Sequence, residues 1–330
     1  MVERDVELKE ISKENFFEAL KGLNRPWGAN YLAMYSSLWN GYTKDPDLMM
    51  IPADDHLAHR GDGVFDTMRC VNGSIYQLQR HLKRLERSAN SIGIKLPLST
   101  EEITGLVIEV TRKTGERDCI IRVTVSRGPG GFSTNPYECF GPQLYINVIK
   151  YNPPPSYFYT KGVSLITSKY PQKDPLFANI KSCNYLLNVL MKKEALDNSA
   201  DYSIGVDRDG YITEGSTENI IVFTKGNELF FPPFDTVLTG TTAYRVKELA
   251  ENLVSQGVLK EVSERKIHKD IVYEAKEVFL TGTSINIVPV STYDRRKISD
   301  GMPGELFQRL RIMLENDMAN NKDLLTPVFD

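Results

Sequence analysis

Three consecutive prolines, Pro153, Pro154 and Pro155, set the first limit on what this chain can fold into. Each fixes its own φ and lacks a backbone N–H, so neither a helix interior nor a central strand can pass through them. Such a run favours an extended, semi-rigid connection. In a chain of 330 residues it falls near the middle, which suits two domains. The expected organisation is an N-terminal extension over 1–50, a small domain over 51–151, a linker over 152–158 and a larger domain over 159–330. The composition, 41% hydrophobic and 25% charged, is that of a globular protein and excludes a collagenous or disordered chain.

Local patterns fill in the first half. Residues 1–50 read as peripheral, with an amphipathic helix over 11–23 carrying Phe16, Phe17, Leu20 and Leu23. Residues 64–71 read as a half-buried strand. Asn72-Gly73 is a strong two-residue hairpin signal, with Ser74-Ile75-Tyr76 returning. Leu78, Leu82, Leu85, Ala89 and Ile92 form one apolar stripe of a helix. The basic residues around it, Arg80, Lys83, Arg84 and Arg87, read as a solvated face. Ser99 and Glu102 make a capping box for a second helix. Strands are expected over 120–125 and 144–149.

The second half opens with a strand over 163–167 and a polar loop to Asn179. A helix over 185–196 and a hairpin over 203–213 follow. Strands are expected at 219–223, 229–231 and 278–280, and helices at 242–254 and 305–314.

Composition also bounds function. Lys plus Arg number 40 against 43 Asp plus Glu, a net charge of -3. That gives no basic footprint for nucleic acid. No apolar run approaches the roughly 18 residues of a membrane span. The N-terminus is too acidic and polar for a signal peptide. The four cysteines form no paired motif, which points to a reducing compartment, and the expected location is cytoplasmic. No histidine or cysteine spacing suits a metal, so none is expected.

Two segments echo each other: Leu238-Thr239-Gly240-Thr241-Thr242 and Leu280-Thr281-Gly282-Thr283-Ser284. Glycine admits close backbone approach, and the unpaired N–H groups of a helix start favour an anion. Together they suit a phosphate monoester. Read singly, each is also ordinary turn and cap chemistry. The P-loop pattern is absent, which disfavours a nucleoside triphosphate. Glu214, beside Gly215-Ser216 at a strand end, could bind a ring nitrogen or be a solvated turn residue. Lys181 could be a nucleophile only if burial or a neighbouring cation lowers its pKa. Spacing alone stops at an anion site in the second half.

Further motifs resemble, in order, those of the class IV, fold-type IV pyridoxal-phosphate enzymes: branched-chain and D-amino-acid aminotransferases and aminodeoxychorismate lyase. The resemblance spans about residues 50–300. His59-Arg60-Gly61-Asp62-Gly63-Val64-Phe65-Asp66-Thr67 resembles the first strand signature. His81-Leu82-Lys83-Arg84-Leu85 is similar to the helix whose arginine holds the cofactor phosphate. Lys181-Ser182-Cys183-Asn184-Tyr185-Leu186 resembles the Schiff-base lysine motif, and Thr213-Glu214-Gly215-Ser216-Thr217-Glu218-Asn219-Ile220 the glutamate motif. The resemblance implies pyridoxal 5'-phosphate as cofactor and ping-pong transamination between an amino acid and a 2-oxo acid. It implies Lys181 as the catalytic residue. Arg84, Lys181, Tyr185, Glu214, Gly240, Thr241, Thr242 and Thr283 would bind the cofactor. It further implies an α/β (α+β) fold with a barrel-like larger domain, and a homodimer.

Substrate choice has fewer markers. Phe65, Thr67, Arg122 and Ser284 are the candidate substrate contacts. Thr67 stands where branched-chain enzymes carry glycine, and Ile120-Ile121-Arg122 lacks their tyrosine. No Arg-x-His triplet of the bacterial D-amino-acid enzymes lies between Arg127 and Tyr137. Residues 126–131 resemble the lyase loop, with Phe132 in place of its arginine, so elimination to 4-aminobenzoate and pyruvate is the alternative. Residues 54–67 and 175–190 resemble plant-type D-amino-acid aminotransferases.

Overall fold

The computed structural model describes residues 8–21, 23, 25–171 and 173–329. The chain builds two sheets. The first holds β1 (Tyr31–Ser36), β2 (Gly41–Thr43), β3 (Gly63–Val71), β4 (Ser74–Tyr76), β5 (Cys119–Ser126) and β6 (Gln143–Lys150). A strand from the C-terminus, Leu325–Pro327, completes it. The order is Leu325–Pro327, β4, β3, β5, β6, β1, β2, and every pairing is antiparallel. The β3–β4 hairpin turns at Asn72 (φ 51°) and Gly73 (φ 86°), the left-handed pair such a short turn requires. Helices Leu78–Ser91 and Thr100–Thr114 pack on one face. The Ser99–Glu102 capping box opens the second of them.

The second sheet holds β7 (Val163–Thr167), β8 (Tyr202–Val206), β9 (Ile212–Gly215), β10 (Asn219–Phe223), β11 (Glu228–Phe231), β12 (Glu261–Glu264), β13 (Glu277–Gly282), β14 (Asn286–Tyr293) and β15 (Arg296–Lys297). The run β10-β13-β14-β7-β8-β9 returns to β10 through Asn219 and Glu214, so these strands close a barrel-like ring. Alternation along the strands makes two cores. Ile220 and Val222 point into the ring, with Val278, Leu280 and Val288. Ile221, Phe223 and Phe279 point outward, under helices Thr241–Ser255 and Glu305–Asn320. The fold is the mixed α/β class with a barrel-like larger part.

The first sheet reaches beyond residues 51–151 at both ends. Residues 1–50, read as peripheral, supply β1 and β2, and β1 pairs with β6 across more than a hundred residues. The helix expected over 11–23 is short, Phe16–Lys21, and position 22 lies outside the described residues. At the other end, Leu325–Pro327 leaves the expected second domain to pair with β4. The last helix runs to Asn320, past the expected 314, because Met318 continues its apolar face. Among the described residues, no helix is long and apolar enough to cross a membrane.

Candidate active site

β4 is short and covers only the far end of β3, at Cys70 and Val71. The near end keeps a free edge, which the segment around Lys181 occupies. Phe65 N–H donates to the Lys181 carbonyl (3.0 Å) and Cys183 N–H to the Gly63 carbonyl (2.8 Å). Ser88 Oγ accepts from Lys181 N–H at 3.2 Å. The lysine backbone is thus fastened to the first sheet just before helix Leu186–Asp197 begins.

Its side chain reaches a cavity of about 150 Å³ where the first sheet meets the mouth of the ring. The Lys181 amine lies 3.2 Å from the Tyr185 hydroxyl and 4.7 Å from the centre of the Phe65 ring. Burial, then the Arg84 charge, pushes the amine down to about 8, against the pull of Asp66 and Glu214. The same burial raises the Tyr185 hydroxyl, and Glu214 adds to it.

Arg84 faces the cavity from helix Leu78–Ser91. Its Nε and Nη2 donate to the two oxygens of Asp66 at 2.7 and 2.8 Å, and Nη1 donates to the Thr239 carbonyl at 3.0 Å. Asp66 is fully buried and also lies 2.7 Å from His81 Nδ1. Burial alone would raise its carboxyl, but Arg84 and His81 overcome this and hold it far below the usual carboxylate range.

Opposite stands helix Thr241–Ser255, whose first N–H groups have no intrahelical partner. A Cβ on Gly240, just ahead of it, would meet Asn219 Oδ1, so any side chain here would force Asn219 to move. The β13–β14 turn adds Gly282, Thr283, Ser284 and Ile285 to the wall. The Thr67 hydroxyl on the rim is buried without a hydrogen-bond partner.

Glu214 lies at the end of β9 and lines an adjoining cavity of about 20 Å³. Lys181, Tyr185, Thr217, Glu218, Asn219 and Leu238 wall both spaces. Glu214 accepts one N–H, from Leu238 at 2.9 Å, and sits 3.8 Å from Lys173 Nζ. Burial raises its carboxyl above the usual value, with Lys173 opposing.

The structure therefore brings Phe65, Thr67, Arg84, Arg122, Lys181, Tyr185, Gly240, Thr241, Thr242, Thr283 and Ser284 to one cavity, with Glu214 behind it. Sequence reasoning gave no role to Asp66, His81, Lys173 or Asn219. For Asp66 a signal was present. Val64, Asp66, Met68 and Cys70 share one face of β3, and all are fully buried. A carboxylate in such a row needs a buried cation as partner. Lys173 gave no such signal, because only the folded chain sets it beside Glu214.

This arrangement can do two things chemically. An amine near 8 is a usable nucleophile and proton carrier at neutral pH. An arginine facing a helix N-terminus holds an anion. Among the described residues no cluster suits a metal ion.

A lysine amine and an anion cradle thus share one cavity at the mouth of a barrel-like ring. Residues 63–293 match the family model Amino-transferase class IV, and the chain belongs to that family. It is 43% identical over 294 residues to the chloroplastic D-amino-acid transaminase of Arabidopsis thaliana, covering 89% of this chain and 78% of that protein. It is 32% identical to the D-alanine aminotransferase of Bacillus licheniformis, covering 86% and 97%. Among solved structures, a branched-chain amino acid aminotransferase complexed with N-(5'-phosphopyridoxyl)-L-glutamate aligns with a TM-score of 0.82. The two are 27% identical, over 91% of this chain and 99% of that one. The branched-chain amino acid aminotransferase of Escherichia coli aligns with a TM-score of 0.80 at 25% identity, over the same shares of the two chains. The protein is an aminotransferase.

Proposed function

We propose that the cavity holds pyridoxal 5'-phosphate and that the protein moves an amino group between an amino acid and a 2-oxo acid. The observation that carries this is the Lys181 amine, pushed down to about 8 within the space that Arg84 and helix Thr241–Ser255 enclose. The residues fit the group. Arg84, Thr241, Thr242, Thr283 and the Gly240 turn suit its phosphate, Glu214 its ring nitrogen, and Tyr185 its ring hydroxyl. When bound, the cofactor supplies an aldehyde that condenses with amines and a ring that stores an electron pair.

The chain's own residues do the rest. Lys181 anchors the cofactor, then, once an amino acid takes its place, carries a proton away from the substrate Cα and returns one later. The Tyr185 hydroxyl, 3.2 Å away, orients the amine and stays protonated at neutral pH. Glu214 holds a proton at the ring nitrogen, which favours electron withdrawal from Cα. Its desolvated carboxyl suits that task. Phe65, Thr67, Arg122 and Ser284 contact the substrate. Arg122 lies 4.7 Å above the Phe65 ring, on the wall nearest Lys181.

The named activities of two similar proteins support D-amino acids as substrates, with branched-chain L-amino acids as the other class. A homodimer in the cytoplasm completes the proposal. The four cysteines, all free thiols, suit a reducing compartment.

A half-reaction screen tests this reading. The purified protein with pyridoxal phosphate is mixed with single D- and L-amino acids while the visible band is followed. The expected result is loss of the band with one hand of amino acid and its return on adding a 2-oxo acid. A band that no amino acid of either hand alters would overturn the proposal.

A further inference from the structure

One buried carboxylate is tied to both walls of the anion cradle, directly to one and through a histidine to the other. Asp66 binds Arg84 through two hydrogen bonds and His81 through a third. His81 Nε2 in turn lies 3.4 Å from Thr241 Oγ1, at the first residue of the opposing helix. Thr67 N–H also donates to Asp66, at 2.8 Å. The chain Asp66–His81–Thr241 thus joins β3, helix Leu78–Ser91 and helix Thr241–Ser255.

The chemistry of each contact has a consequence for an anion. Arginine presents five N–H donors in a rigid fork. Asp66 and the Thr239 carbonyl use three of them, which fixes the plane of the guanidinium and leaves two to face the cavity. An ionised carboxylate only accepts, so His81 Nδ1 must carry the proton in that contact. In the neutral ring, Nε2 is then an acceptor and draws the Thr241 hydroxyl toward itself. Helix Thr241–Ser255 therefore meets the anion with its backbone N–H groups, and its first side chain is held in one rotamer.

We propose that Asp66 is the positioning residue of the phosphate cradle, acting through Arg84 on one side and through His81 on Thr241 on the other. The inference rests on the reading of this cavity as a pyridoxal-phosphate site. Asp66 touches no cofactor atom in this account. It sets the geometry of groups that do, and it keeps Arg84 from closing on other acceptors. None of its hydrogen bonds reaches the aldehyde end, where it acts on the Lys181 amine only through its charge, so its contacts are confined to the phosphate end.

That confinement separates positioning from general structural support. The protein is stripped of cofactor and titrated with pyridoxal phosphate and, separately, with pyridoxal, which lacks the phosphate. The wild type should prefer the phosphorylated ligand strongly. Asp66→Asn should shrink that preference by about tenfold or more, with pyridoxal affinity nearly unchanged. An unchanged preference, or equal loss of both ligands, would overturn the proposal. If Asp66→Asn does not fold, His81→Gln carries the test, with a smaller but selective loss expected and an unchanged preference again contradicting it. A wild type that binds neither ligand would remove the functional reading and this inference together.

Discussion

The two acids of the site live in opposite circumstances. Asp66 is fully buried behind Arg84 and Glu214 is half-buried in the adjoining space, yet Asp66 has three charge-assisted hydrogen bonds and Glu214 has one backbone N–H and a lysine 3.8 Å away. Their carboxyls are displaced in opposite directions, Asp66 down and Glu214 up. Lys181 belongs with Glu214. Among the described residues its amine has only the Tyr185 hydroxyl in hydrogen-bond reach, and it is pushed down to about 8. A saturated buried charge is a fixed part of the frame. An unsaturated one has its proton affinity moved toward the neutral range, where it can gain or lose a proton. The contrast assigns scaffolding to the Asp66 wall and chemistry to the Glu214–Lys181 wall.

Substitutions on each wall should therefore fail differently. Lys181→Ala should lower transamination on the order of 10⁴-fold while leaving the unfolding midpoint near that of the wild type. A large loss of stability would place Lys181 in the frame and break the contrast. Asp66→Asn should instead cost about 3–5 kcal/mol in denaturant unfolding, because Arg84 is left buried without its counter-charge. The sign with pH follows. The Asp66 carboxyl is lowered in the folded state, so its stabilisation is complete above the ordinary carboxylate range. It is lost as pH falls through and below that range. The wild type should lose its advantage over Asp66→Asn in acid, and a constant gap down to about pH 3 would contradict the pairing.

Glu214→Gln sharpens the comparison on the chemical side. It should reduce the rate of Cα proton removal by about 10²-fold with little effect on stability. Deuterium exchange at Cα, followed by proton resonance, reads this directly. The smallest effect is a titration. The Lys181 amine must be neutral to bond the cofactor aldehyde, so the association rate should rise about tenfold per pH unit up to about 8 and then level off. A rate that climbs unbroken past pH 10 would return Lys181 to an ordinary, solvated lysine.

Much of the fold was legible because its signals are local. The Asn72-Gly73 turn, the capping box at Ser99 and the stripe from Leu78 to Ala89 each depend on neighbours in sequence. The motifs around Lys181, Arg84 and Glu214 were visible as residue strings for the same reason. Strands joined across great sequence distances were not visible. Tyr31–Ser36 becomes a strand by pairing with β6, and Leu325–Pro327 by pairing with β4. β14 carries Pro289, which pattern alone counts against a strand. Lys173 precedes Lys181 in a polar loop, and only the folded loop sets it beside Glu214.

The central claim is that one amine, that of Lys181, bonds the cofactor. Lys173, which lies 5.1 Å above the Tyr185 ring and also reaches the site, is the natural competitor. Borohydride reduction of the protein with pyridoxal phosphate, followed by peptide mass spectrometry, identifies the lysine that carries the label. The account predicts the label on the peptide containing Lys181. A label on Lys173, or spread over surface lysines, would contradict it.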